Sequence, residues 1–328
     1  VRVLAAVDKF RGTATAAEVA QAIGHACWQL GHDCDEVGMA DGGEGTLDVL
    51  GGANRTTVVT GPLGDQVKAP WRFSRNTAVI EMALASGLTL AGGAERNDAL
   101  AATTAGTGEL IDAALDSGAK KIIVCLGGSA TTDGGLGALR AIHAPHRLRG
   151  VELLVACDVT TTFVAAAEVF APQKGASPAQ VNMLTGRLER LAQMYKSDYG
   201  TDVRTIAGGG AAGGLAGALV ALGGRLLPGF ELVADELDLY DRVANAELII
   251  TGEGFLDEQS FQGKVVGGMQ AMAQRAQRRI AAIVGDADPD VADRIEHVSL
   301  VAAFGRDKAM TETQMCIEQA ALQLLRTL

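Results

Sequence analysis

The run Leu126-Gly127-Gly128-Ser129-Ala130-Thr131-Thr132-Asp133-Gly134-Gly135 follows an apolar, strand-like segment and holds one carboxylate in a glycine- and hydroxyl-rich loop. Such a loop can wrap a phosphate with backbone N–H groups while its acid faces a metal ion. Two other stretches have the same character: Gly208 to Gly214, before an Ala/Leu-rich segment, and Ile249-Ile250-Thr251-Gly252-Glu253-Gly254-Phe255-Leu256-Asp257. Their glycines suit a backbone that bends sharply or lets a ligand approach closely. In the first and third stretches an apolar strand comes first, so the glycines fall at a strand's C-terminal end, where open α/β sheets bind ligands.

Carboxylates recur at such positions: Asp8, Asp41, Glu44, Asp133, Asp158, Glu253 and Asp257. Phosphoryl transfer needs acids for Mg²⁺ or for a hydroxyl proton, and backbone or cationic donors for phosphates. Any single one of these acids is more often a cap or turn residue; their repeated placement beside glycine loops shifts the balance toward chemistry. Gly208-x-Gly210-x-x-Gly213, with Glu231 and Asp235 downstream, matches a dinucleotide fingerprint. The strand before it is poor, so helix–sheet packing or phosphate and substrate contact fits better. Gly263-Lys264 is followed by Val265 and Lys174-Gly175 by Ala176, so no Walker A loop is encoded. His143-x-x-His146 encloses Pro145 and reads as an exposed loop; no zinc cluster or Ser/His/Asp triad can be argued.

The elements that must carry these groups follow from periodicity. Val1–Val7 ends as a strand at Asp8, residues 16–30 are helical, and Glu36–Ala40 is a second strand ending before Asp41-Gly42-Gly43-Glu44. From Thr56 to about Ala83, alternation broken by Gly-Pro and Gly-Asp predicts antiparallel strands. A helix is expected over 107–117 with Thr107 as its cap, strands over 121–126 and 151–158, and an amphipathic helix over 178–198. Leu139–Gly150 reads as a loop. Apolar runs at 247–251, 279–286 and 298–304 bring the strand count of the first pattern to five, as in a flavodoxin-like doubly wound sheet. The expected organisation is two α/β domains: a discontinuous flavodoxin-like one, 1–57 plus 240–328, and an inserted one, 58–239.

The 328 residues fit two domains at roughly 150 residues each. Forty-two glycines, seven prolines and 4% aromatics suit closely packed βα units. A net charge of −11 argues against broad nucleic-acid or anionic-membrane binding but leaves room for a small anion met by local donors. Five scattered cysteines, Cys27, Cys34, Cys125, Cys157 and Cys316, read as buried thiols of a reducing compartment. With no leader pattern and no apolar run near the roughly 18 residues of a membrane span, a cytoplasmic protein is expected. Exposed apolar strands in the inserted domain favour a homodimer.

Ten ordered motifs across nearly the whole chain resemble those of the type 1 glycerate kinases. They are Asp8-Lys-Phe-Arg-Gly12, Met39 to Thr46, Thr60 to Gly64, Glu81 to Gly87, Gly106 to Ile111, Gly127 to Gly135, Ala156 to Val159, Pro172 to Ala176, Ala211 to Gly214 and Ile250 to Gly254. The resemblance implies ATP-dependent phosphorylation of a D-glycerate hydroxyl, giving 2- or 3-phosphoglycerate at an interdomain site. It also implies a flavodoxin-like and a restriction-endonuclease-like mixed-sheet domain. On that footing Gly127, Gly128, Ser129 and Ala130, with Gly213 and Gly214, are assigned to the phosphates, and Mg²⁺ to Asp133 or Asp158. Arg11 and Lys174 are assigned to the substrate carboxylate or the transferring phosphoryl group, with Asp8 and Glu44 also at the substrate. Asp158, ahead of Asp41, is assigned to the hydroxyl proton.

The chain departs from the family pattern at several ligand loops. Its first motif has Lys9 and Arg11 where Ser and Lys are usual, and Arg is not a positional copy of Lys. Thr132 replaces an Asn before the loop acid, Thr160-Thr161-Thr162-Phe163 replaces an Asn-Pro segment, and Ala171 replaces a Gly. The stretch from Gly135 to Val151 is also short for the family. The alternative is therefore a kinase-like protein that binds a metabolite or nucleotide with altered substrate or little turnover.

Overall fold

A computed structural model describes residues 1–326. Its strands are β1 (Arg2–Val7), β2 (Asp33–Gly38), β3 (Arg55–Thr60), β4 (Gln66–Ser74), β5 (Thr77–Glu81), β6 (Lys121–Cys125), β7 (Glu152–Ala156), β8 (Arg225–Leu227), β9 (Leu248–Leu256), β10 (Arg279–Ala287) and β11 (His297–Ser299). The chain divides into two compact units: Val1–Asp41 with the chain from Phe230 onward, and Gly42–Gly229. The division falls earlier than the expected boundaries at 57/58 and 239/240. Arg55–Thr57 already pair with Ala69–Trp71 in the second sheet, and Leu239 begins a helix of the first unit.

The first unit holds an all-parallel sheet in the order β2-β1-β9-β10-β11, the flavodoxin-like order. Alternation along β10 serves both faces. Ala281 and Ile283 join a core with the helix Ala16–Gln29 and the helix Thr313–Leu325, while Ala282 and Val284 pack with Val266, Val291 and Ile295. The helix Ala16–Gln29 starts where predicted because Thr15 and Glu18 form a capping box. The Thr15 hydroxyl accepts the Glu18 N–H at 3.2 Å, and the Glu18 carboxylate accepts the Thr15 N–H at 2.8 Å. The expected strand over 298–304 is mostly helix: Ser299 ends β11 and caps Leu300–Phe304 by accepting the Ala302 N–H. A short apolar run does not by itself separate strand from buried helix.

The second unit holds a mixed sheet, β3-β4-β5-β6-β7-β8, antiparallel through β5 and parallel from β5 to β8. Trp71, Ile80, Ile122 and Val124 form its core with Leu110 and Ile111 of the helix Ala105–Asp116. That helix begins after Thr104; Thr107, expected as its cap, is buried with its hydroxyl 2.9 Å from that of Ser86. Leu139–Gly150, expected as loop, contains the end of the helix Leu136–Ala141 and a 3₁₀ segment, Pro145–Gly150. Because β5, β6 and β7 are adjacent and parallel, their C-terminal ends lie along one edge. Glu81, the Gly127 loop and Asp158 are thereby brought together, although up to 77 residues separate them in sequence.

Candidate functional site

The loop after β6 is held by side chains from elsewhere in the second unit. Lys174 is 3% exposed and donates from Nζ to Ser129 Oγ (2.8 Å) and to the Thr131 carbonyl (2.7 Å). Burial pulls its ammonium down to about 7, opposed by the nearby Asp133 charge. Asn97 donates through Nδ2 to the Ala130 carbonyl (2.9 Å) and the Lys174 carbonyl (2.8 Å), tying both stretches together. The Ala130 N–H is spent on the Ser86 carbonyl at 3.0 Å. The assignments of Lys174 and Ala130 to direct ligand contact are corrected accordingly: in this structure both shape the loop.

Asp133 needs the same correction. Its Oδ2 accepts the Thr104 N–H (2.9 Å), the Thr104 hydroxyl (2.8 Å) and the Gly137 N–H (3.1 Å), and its Oδ1 accepts the Gly135 N–H (3.0 Å). Four donors meet the roughly four lone-pair sites of a carboxylate, so Asp133, expected at Mg²⁺, is engaged here as the anchor of the loop. Gly213 and Gly214, expected at the phosphates, pack against the same loop. Both are buried with φ of +67° and +96°, and a Cβ at Gly213 would lie 2.0 Å from the Thr131 carbonyl oxygen. Only glycine lets that backbone close on the loop, whose Gly134 N–H bonds the Gly213 carbonyl at 2.9 Å.

Beside the loop, the segment Gly42–Leu47 is fixed by Glu81, a residue the motif reading left without a role. Glu81 is 5% exposed, and its Oε1 accepts the N–H groups of Gly45 (2.9 Å) and Leu47 (2.7 Å). Gly127 sits against this segment: a Cβ there would lie 3.4 Å from Gly43 Cα and 3.6 Å from Glu44 N. Glu44 is exposed. Asp158, just past β7, is exposed as well, and its Oδ1 accepts the Gly229 N–H at 2.7 Å.

The first unit carries the second cluster. Asp8 follows β1, and its N–H donates to the Gly252 carbonyl of β9 at 2.9 Å. The β1–β9 register pairs Ala5 with Ile250; continued at the same offset it sets Asp8 beside Glu253. This is where the strand order reverses, the ligand-binding position of doubly wound sheets. Desolvation and the Asp41 charge push Asp8 up to about 6, against its bond from the Lys9 N–H (2.7 Å) and the Lys9 and Lys264 charges. Glu253 is 9% exposed and is pushed up to about 7, first by burial and then by Asp8 and Asp257, while Ser260 and Lys264 oppose the shift. Its Oε1 is buried without a hydrogen-bond partner. Arg11 is exposed, and Asp41 is half-buried. Asp257 instead forms a capping box with Ser260.

A model of the glycerate kinase family matches residues 3–146 and 143–328, which together span nearly the whole chain. This chain belongs to the glycerate kinase family. It is 39% identical over 331 residues to glycerate 2-kinase of Escherichia coli K12, covering 89% of this chain and 87% of the relative. It is 35% identical over 367 residues to glycerate kinase of Bacillus subtilis 168, covering 100% and 96%. A crystal structure of a glycerate kinase 2 candidate from Salmonella typhimurium LT2 superposes with a TM-score of 0.86 at 34% identity, covering 100% of this chain and 98% of that one. The two family-model segments overlap at 143–146, inside the Gly135–Val151 stretch.

Among the described residues no group of three His, Cys, Asp or Glu side chains could hold a metal ion. A Mg²⁺ bound chiefly by nucleotide phosphates and water asks for one or two carboxylates, which the exposed Asp158 fits and the saturated Asp133 does not.

Proposed function

We propose that this enzyme is a type 1 glycerate kinase that transfers the γ-phosphoryl group of ATP to a hydroxyl of D-glycerate. The observation that carries the reading is the likeness to glycerate kinases over the full chain, with 34% identity and a TM-score of 0.86 to the Salmonella structure. Each unit supplies its own part of the chemistry. In the second, the backbone of Gly127–Ser129 offers N–H groups to phosphate oxygens, and Lys174, Asn97 and Asp133 hold that backbone in shape beforehand. In the first, the exposed Arg11 pairs with the glycerate carboxylate as a planar fork. Mg²⁺, where Asp158 helps to hold it, neutralises charge on the phosphates.

The name of the Escherichia coli relative, glycerate 2-kinase, supports the 2-hydroxyl as acceptor. Incubation with ATP, Mg²⁺ and D-glycerate, followed by phosphorus NMR, tests both points. A product resonance split into a doublet by one vicinal proton is expected, and a triplet would assign the 3-hydroxyl. Nucleotide binding without ADP release on glycerate, hydroxypyruvate or related small acids would replace the reading with that of a binding protein.

A further inference from the structure

The acid pair of the first unit is built differently from every other carboxylate at a strand tip. Asp8, just past β1, bonds the Gly252 carbonyl through its N–H, which with the β1–β9 offset sets it beside Glu253, and Glu253 shares its face of β9 with Thr251 two residues earlier. Thr251 Oγ1 and Glu253 Oε1 are both buried without a hydrogen-bond partner. An orphaned buried carboxylate oxygen is costly, and a site that keeps one has a use for it. Glu253 is almost fully buried, whereas Asp8 in front of it is half-buried and can be reached. The charged groups facing the pair are Lys9, Asp41, Asp257 and Lys264, and the Ser260 hydroxyl beside them donates to Asp257. On the neighbouring β10, Val284 is opposite Glu253, and Asp286 is engaged by Ser299 and Arg306.

We propose that Asp8 takes the proton of the acceptor hydroxyl and that Glu253 behind it is a positioning residue, whose negative charge strengthens Asp8 as a base. The inference rests on the kinase reading above and replaces Asp158 and Asp41 in that role. Asp158 is exposed with one oxygen taken by Gly229, and Asp41 serves as a further negative charge beside Asp8. In the step, the hydroxyl O–H bond breaks and its proton passes to the Asp8 carboxylate. The hydroxyl oxygen bonds the γ-phosphorus as the bond to the bridging oxygen breaks, and that electron pair leaves with ADP. The pair gives up its protons near pH 6 and near pH 7, and the reactive form has lost both.

The test is the pH profile of kcat/KM for glycerate, measured on the full chain with ATP and Mg²⁺. The wild-type enzyme is expected to lose activity on the acid side with an apparent pKa of about 7. Glu253→Gln should move that limb down by about one pH unit, because Asp8 then binds its proton without a negative neighbour. Asp8→Asn should lower kcat on the order of 10²–10³-fold with KM for glycerate changed less than about threefold. A limb that stays put in Glu253→Gln, or kcat kept within threefold in Asp8→Asn, overturns the proposal. Infrared difference spectra of the wild-type protein between pH 5 and pH 8 keep the acid pair testable where a variant does not fold or glycerate is not turned over. Loss of protonated-carboxyl absorption across that range is expected, and its absence overturns the pair. Turnover failure with the carboxyl signal intact points instead to the kinase reading as the error.

Discussion

The two units place similar motifs, an apolar strand running into glycines and an acid, in opposite electrostatic circumstances. In the loop after β6, Asp133 accepts four hydrogen bonds and Lys174 is packed between Ser129 and Thr131. At the end of β9, Glu253 is as buried as a core residue and keeps an oxygen without a hydrogen-bond partner. The satisfied acid shapes a binding loop, because its lone pairs are spent on holding backbone. The unsatisfied acid is held near neutrality in charge terms, which is the condition for moving protons. Two motifs that look alike as strings thus differ in what their surroundings leave undone.

The sharpest way to break the comparison is Asp133→Ala. Removing the acceptor of four donors is expected to lower unfolding stability by at least about 3 kcal/mol in urea melts and to abolish turnover at any Mg²⁺ concentration. A variant that folds normally and recovers activity at high Mg²⁺ would return Asp133 to the metal.

The pH dependence of stability sharpens the contrast, because the two clusters act with opposite sign. Asp8 and Glu253 have folded values of about 6 and about 7, above their ordinary 3.8 and 4.5. The unfolded chain gives up these protons first, so stability from this pair is present below about pH 4 and is lost as pH rises to about 7. Lys174 falls from 10.5 to about 7, so between those values the unfolded chain holds more protons and stability rises with pH. The rise is at most about 1.4 kcal/mol per pH unit. Lys174→Met should remove the alkaline rise, and Glu253→Gln should remove the Glu253 part of the acid-side decline, leaving a decline that ends near pH 6 from Asp8, in urea melts run from pH 4 to pH 10.

The smallest expected effect is at Thr132, where the buried hydroxyl has no hydrogen-bond partner. Thr132→Val replaces that hydroxyl with a methyl group and should raise stability by up to about 1 kcal/mol. A loss of more than that would reveal a bond made by the hydroxyl and place Thr132 with the satisfied cluster.

Much of this was legible in the residue string. Alternation and glycine placement marked the strands of both sheets except the short β8, and apolar periodicity marked the helices that begin at Ala16 and Pro178. Acids at strand tips were visible because a strand must end before a turn, and Asp or Glu next to glycine shows in the string. Glu81 followed the same rule as the closing residue of β5 and was passed over because no glycine adjoins it. Asn97 carries no local signal at all, since its two acceptors lie 33 and 77 residues away.

The order of elements, the strand-tip acids and the family motifs are properties of the sequence, because they arise from backbone preferences and spacing along the chain. Which acid is quenched and which is left poised came only with the folded chain. Hydrogen-bond partners and desolvation are set by residues remote in sequence: Thr104 for Asp133, Ser129 for Lys174, Asp8 for Glu253. A carboxylate's chemistry depends on its donors and its access to water, and neither is written at its own position.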